Sequence, residues 1–140
     1  MRFPPKTVSS QTIGNIGLYY VCHQLSLLGW NVMPTARNAR GIDIVAYNQS
    51  GSRVLTIQVK SLSKRNAVPL GSKLDHLIAD FIVVVDKVTS DKPACHVMTP
   101  AEVRKQDIPQ KKNGITSHWL PPSAYEKFND NLDRIGNGIG

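Results

Sequence analysis

Residues 41–61 read Gly41-Ile42-Asp43-Ile44-Val45-Ala46-Tyr47-Asn48-Gln49-Ser50-Gly51-Ser52-Arg53-Val54-Leu55-Thr56-Ile57-Gln58-Val59-Lys60-Ser61. These are two β-rich runs separated by a polar turn, and their pairing decides the fold. With Ser50 and Gly51 as the turn residues, Gln49 stands opposite Ser52, Val45 opposite Thr56 and Asp43 opposite Gln58. Side chains alternate across a strand, so Ile42, Ile44, Ala46, Leu55, Ile57 and Val59 fall on one face. That face is uniformly apolar and a one-residue slip would mix it, which makes it the core side. The other face collects Asp43, Gln58 and Lys60.

On the N-terminal side, Ser9 or Ser10 caps a helix running to about Leu28, with Leu18, Val21, Leu25 and Leu28 as its buried stripe and Gly29 as its stop. Trp30 to Met33 reads as a short strand. On the C-terminal side, the apolar run Phe81 to Val85 and the segment Ala94 to Met98 read as interior strands. Thr99 then caps a helix with Pro100 at its first position. Trp119-Leu120 ends a further strand, and Ser123 to Ile135 has the spacing of a final amphipathic helix. Helix, hairpin, strand, strand, helix implies an α/β fold with a mixed central β-sheet flanked by helices. A chain of 140 residues supports one core of this size. The expected domain spans residues 1–135, with the Gly-rich residues 136–140 as a flexible tail.

Composition narrows the function classes. No run approaches the ~18 consecutive apolar residues of a membrane helix, and Met1-Arg2-Phe3-Pro4-Pro5-Lys6 lacks the apolar stretch of a signal peptide, so a cytoplasmic protein without membrane partners is expected. Cys22 and Cys95 stand far apart and outside any Cys/His ligand spacing, which argues against a disulfide framework or a zinc site and for buried free thiols. The net charge is +7, and its distribution is one-sided. Residues 1–70 carry eight Lys/Arg and a single acid, Asp43, whereas residues 71–140 carry nine of each sign. An excess of this kind is the electrostatic footprint of a nucleic-acid binder, because Lys and Arg contacts to phosphates release counterions.

Asp43 and Gln58 offer a carboxylate and an amide oxygen, ligands for a hard cation such as Mg²⁺ or Mn²⁺, and the backbone carbonyl of Val59 adds a third oxygen. An adjacent lysine, Lys60, can orient or deprotonate a metal-bound water and offset charge developing on a phosphate. The set therefore suits phosphodiester hydrolysis.

The wider pattern strengthens this. Gly41-Ile42-Asp43-Ile44-Val45-Ala46 followed by Ile57-Gln58-Val59-Lys60-Ser61 resembles the D…(D/E/Q)-x-K core of the PD-(D/E)XK, or restriction-endonuclease-like, nucleases. Ile16-Gly17-Leu18-Tyr19-Tyr20-Val21, Leu25 and Gly29-Trp30-Asn31-Val32 resemble the first helix and strand of small bacterial members. The resemblance covers roughly residues 12–87. It implies a metal-dependent endonuclease acting on DNA, with Asp43 as the metal-ligating acid, Gln58 at the second ligand position and Lys60 as the catalytic lysine. It also implies a homodimer, for which Tyr125, Phe128 and Leu132 are the candidate contact. Two departures stand out: Gln replaces Glu at position 58, and Leu18 occupies the place where relatives often carry an acid on the first helix. Gln11, Asn15 and Cys22 share that helical face without supplying a charge. The alternative is accordingly a catalytically inactive relative that binds nucleic acid or serves as a protein-interaction module.

Two basic clusters flank the candidate centre: Arg37, Asn38 and Arg40 before Asp43, and Lys64 and Arg65 after Lys60. They are natural phosphate clamps. The four histidines share no ligand spacing. Lys111-Lys112-Asn113-Gly114 reads as a solvated basic turn.

Overall fold

A computed structural model describes residues 8–36 and 40–140. The first helix, α1 (Ser10–Leu27), begins where the Ser9 hydroxyl accepts the Thr12 N–H at 3.1 Å, satisfying one of the first-turn donors that have no partner within the helix. It ends as Gly29 takes φ +91°. Val21 and Leu25 are fully buried as the spacing predicts, while Leu18 and Leu28 are only half-buried. Gly17 and Cys22 complete the buried face.

The hairpin forms in the expected register. β2 (Ile44–Tyr47) pairs antiparallel with β3 (Val54–Ser61), with Val45 opposite Thr56 and Ile44 opposite Ile57. Its turn is wider than two residues: the Asn48 N–H donates to the Arg53 carbonyl and the Arg53 N–H to the Asn48 side-chain oxygen. β1 (Asn31–Pro34) pairs antiparallel on the outer side of β2.

After β3 come a short strand, β4 (Val68–Gly71), and an interior strand, β5 (Phe81–Asp86), which runs parallel to β3. β6 (Ala94–Met98) pairs antiparallel with β5 and closes a mixed five-stranded sheet of order β1-β2-β3-β5-β6. The next helix, α2 (Pro100–Gln106), starts with a reciprocal capping box between Thr99 and Glu102. β7 (Ile108–Lys112) and β8 (Ile115–Leu120) then join β4 in a second sheet of order β4-β8-β7.

The five-stranded sheet is covered on both faces. α1 packs with Ile44, Ala46, Ile57, Val83, Val85 and Val97 on one side. On the other, Ile82, Val84 and Met98 pack with β4, β8, α2 and a one-turn helix, α3 (Pro122–Tyr125). Two features differ from expectation. The segment after α3 is broken into 3₁₀ turns at Glu126–Phe128 and Leu132–Ile135: Asn129 is extended and Asp130 takes φ +46°, which brings Asn131 alongside β6. Its side chain accepts the Val97 N–H at 2.7 Å and donates to the Val97 carbonyl at 3.2 Å. The other is the expected flexible tail, residues 136–140, which is tied down: Trp30 Nε1 donates to the Gly136 carbonyl, the Gln49 N–H to the Gly138 carbonyl, and the Gly138 N–H to the Leu28 carbonyl.

Among the described residues, no helix is long and apolar enough to cross a membrane. Tyr125 is fully buried, and Phe128 and Leu132 pack against the molecule's own core. Of the residues considered for a dimer contact, Tyr125 is wholly internal, and Phe128 and Leu132 are partly so. Cys22 and Cys95 are buried free thiols, and burial pushes the Cys95 thiol up to about 12.

Candidate active site and nucleic-acid surface

Asp43 sits just before β2, and its backbone is held from both sides. The Thr35 N–H donates to its carbonyl at 2.9 Å, and its own N–H donates to the Ile57 carbonyl at 2.8 Å. Ile44 already stands opposite Ile57, so Asp43 and Ile44 face one residue of β3, the two-against-one arrangement of a β-bulge. The Asp43 carboxylate then accepts the Val59 N–H at 2.7 Å. Gly41 makes the approach feasible: its φ is +76°, and a Cβ there would lie 2.4 Å from the His76 carbonyl oxygen.

The bulge changes how the three candidate residues are presented. Strand alternation without it puts Asp43 directly opposite Gln58. In the structure Asp43 and Val59 instead line a hollow of about 460 Å³ facing α1, together with Gln11, Asn15, Leu18 and Thr35. Lys60 lines a second hollow of about 440 Å³, with Arg40, Gly41, Lys73, Asp75 and His76. Gln58 alternates with Val59 along β3 and so shares the Lys60 face; it is only 7 % exposed, and its side-chain oxygen has no hydrogen-bond partner among the described residues. The expectation of three polar groups on one open face is thus corrected: the acid opens toward α1, and the lysine opens toward β4.

Asp43 and Lys60 nonetheless act on each other. Burial pushes the Lys60 ammonium below the usual lysine range, and the Asp43 carboxylate pulls it partly back. His76 is lowered too, first by burial and next by the Lys60 charge. Burial outweighs the carboxylate, so the Lys60 proton is easier to release than a surface lysine's.

Of the expected phosphate clamps, Lys64 is exposed. Arg40 pairs with Asp75 at 2.8 Å, and Arg65 grips Glu126 through two bonds of 2.8 and 2.9 Å, so both guanidinium groups already have carboxylate partners. Arg37 and Asn38 lie outside the described residues. Lys73 and His76, which sequence reasoning missed, join the Lys60 hollow; they lie in the β3–β5 connection, where no spacing ties them to Lys60.

A second buried polar group escaped the sequence altogether. Asp86 and His96 are 4 % and 1 % exposed, and one Asp86 carboxylate oxygen and both His96 ring nitrogens lack hydrogen-bond partners among the described residues. The His96 ring packs against Tyr125 at 4.9 Å.

No family model, curated protein or solved structure matches the chain.

Proposed function

We propose that the chain is a nucleic-acid-binding domain with a metal-dependent phosphodiesterase centre of the PD-(D/E)XK kind at Asp43, Gln58 and Lys60. The observation that carries this reading is the orphaned Gln58 oxygen, buried on β3 one residue before Val59, whose N–H is bonded to the Asp43 carboxylate, and two before Lys60, whose ammonium burial holds below the usual lysine range. A buried amide oxygen without a partner costs roughly 1–3 kcal/mol. A hard cation would offset that cost, and the donor set of Asp43 carboxylate, Gln58 amide and Val59 carbonyl is all oxygen, as Mg²⁺ or Mn²⁺ requires. When bound, the ion would supply Lewis-acid polarisation of a phosphoryl oxygen. Asp43 would orient the ligand set through its fixed bond to Val59. Lys60 would take or give a proton and offset charge on the phosphate, while Lys73 and His76 line its hollow. DNA is the substrate that the basic first half and the motif favour.

A second reading, a catalytically silent relative that still binds nucleic acid or a protein partner, is favoured by one observation: Leu18 lines the Asp43 hollow where a second carboxylate would increase cation affinity. Incubating supercoiled plasmid and branched DNA with Mg²⁺ or Mn²⁺ separates the two, with binding scored in parallel by gel shift. Nicking lost in both Asp43→Ala and Lys60→Ala supports the enzyme. Binding without cleavage in either metal supports the silent relative.

A further inference from the structure

β7 and β8 form a hairpin whose outer half stands alone. Val68, Pro69 and Gly71 of β4 pair with Leu120, Trp119 and His118 of β8, so among the described residues Ile115, Thr116 and Ser117 pair only with Lys112, Lys111 and Gln110 of β7. Three residue pairs, roughly 10 Å of ribbon at 3.4 Å per residue, therefore project beyond the sheet. Asn113 and Gly114 close the ribbon with φ +53° and +75°, the backbone of a tight type I′ turn. Every residue of β7 is exposed, and Ile115 is 67 % exposed. A two-stranded ribbon with no core beneath it is marginal in water, which makes a partner the natural source of its remaining stability.

The partner's chemistry follows from charge. Residues 108–125 contain no Asp or Glu, and Lys111 and Lys112 stand at the tip. Asp107, the acid just before the hairpin, is engaged by His118 at 2.6 Å and by the Trp119 N–H at 3.2 Å. The open edge of β7 is unsuited to adding another strand, because Pro109 lacks an N–H and the two lysines repel a copy of themselves. Position points the same way. β4 runs toward the tip end of its sheet, and its end at Gly71-Ser72-Lys73 lines the Lys60 hollow. Two strand spacings, about 10 Å, separate β4 from β7. A two-stranded ribbon also fits a duplex major groove, which is roughly 12 Å wide.

We infer that the β7–β8 ribbon is a groove-entering arm for a nucleic-acid duplex, with Lys111 and Lys112 gripping phosphates flanking the one presented to the Lys60 hollow. This rests on the proposed function and assigns it a second contact. The test is fluorescence anisotropy with a labelled duplex between 50 and 200 mM salt, comparing the wild type with Lys111→Gln/Lys112→Gln. Lys87→Gln/Lys92→Gln, with the same change in net charge, is the control. Loss of two phosphate contacts predicts about a tenfold or greater fall in affinity and a salt slope shallower by about 2, with the control within about twofold of the wild type. Equal binding by the tip variant and the wild type overturns the arm and leaves the site reading intact. Equal weakening in the control also overturns it, as a net-charge effect. A wild type that binds no duplex at 50 mM salt overturns the nucleic-acid reading and the arm with it. Self-association by sedimentation that the tip variant abolishes would assign the ribbon to a second copy of the chain instead.

Discussion

The Asp43 carboxylate accepts the Val59 backbone N–H at 2.7 Å, so the acid of the candidate centre also ties the start of β2 to β3. Asp43→Ala leaves that N–H without its acceptor and is expected to cost about 1–3 kcal/mol by urea denaturation. Asp43→Asn keeps an acceptor oxygen and is expected to cost less than half as much, while losing cation affinity like the alanine variant. Equal stability of Asp43→Ala and the wild type would remove the structural role.

Lys60 pays for its position. Burial pushes its pKa down, so the charged form is strained in the folded state near neutral pH. A neutral side chain of similar length relieves this, and Lys60→Met is expected to raise stability by about 0.5–1 kcal/mol while removing any metal-dependent cleavage. A fall in the urea midpoint of Lys60→Met would contradict the strain.

His96 should make stability pH-dependent. Burial lowers its pKa below 6.5 despite the opposing charges of Asp86, Glu126 and Asp130. Between the depressed folded value and 6.5 the unfolded chain binds a proton that the folded chain does not, so stability is full above pH 6.5 and falls as the pH drops. The slope cannot exceed about 1.4 kcal/mol per pH unit for one group. Urea midpoints at pH 7.5 and 5.5 should diverge in the wild type and diverge less in His96→Phe, which keeps an aromatic ring against Tyr125 and leaves only the smaller contribution of the more exposed His76. The same divergence in both proteins would assign the effect elsewhere.

The C-terminal residues are expected to be structural. Gly136 and Gly138 bond Trp30, Gln49 and Leu28, and a Cβ on Gly138 would lie 2.7 Å from the Gly29 carbonyl oxygen. Removing residues 136–140 should lower stability by about 2 kcal/mol, from several hydrogen bonds of about 1 kcal/mol each less the chain entropy regained. An unchanged melting temperature would mean the tail is dispensable.

The hairpin was legible because its apolar set has a strict period of two, and α1 because Ser9 and Gly29 bracket a helical stripe. β4 and β7 were not. Each contains a proline, Pro69 and Pro109, which argues against a strand unless the strand sits at an edge or a bulge; β7 is an edge and β4 carries a register shift after Pro69. The C-terminal segment misled because Tyr125, Phe128, Leu132 and Ile135 have helical spacing, while the tertiary bonds of Asn131 to Val97 override it. The residue types of the candidate centre were readable, but their presentation was not. Alternation assumes an unbroken ladder, and the bulge at Asp43 turns the acid toward α1. The fate of Arg40 and Arg65 was also hidden, since Asp75 and Glu126 reach them from distant parts of the chain.

If Asp43 and Gln58 hold a divalent cation as proposed, titrating Mn²⁺ into the wild type and Gln58→Leu by calorimetry reads it without any coupled activity. One ion bound per chain, with affinity at least about tenfold weaker in Gln58→Leu and that variant no less stable, is the predicted result. No binding to the wild type up to about 10 mM, an order above the weakest oxygen-ligand sites, or equal binding by both proteins, would contradict the claim.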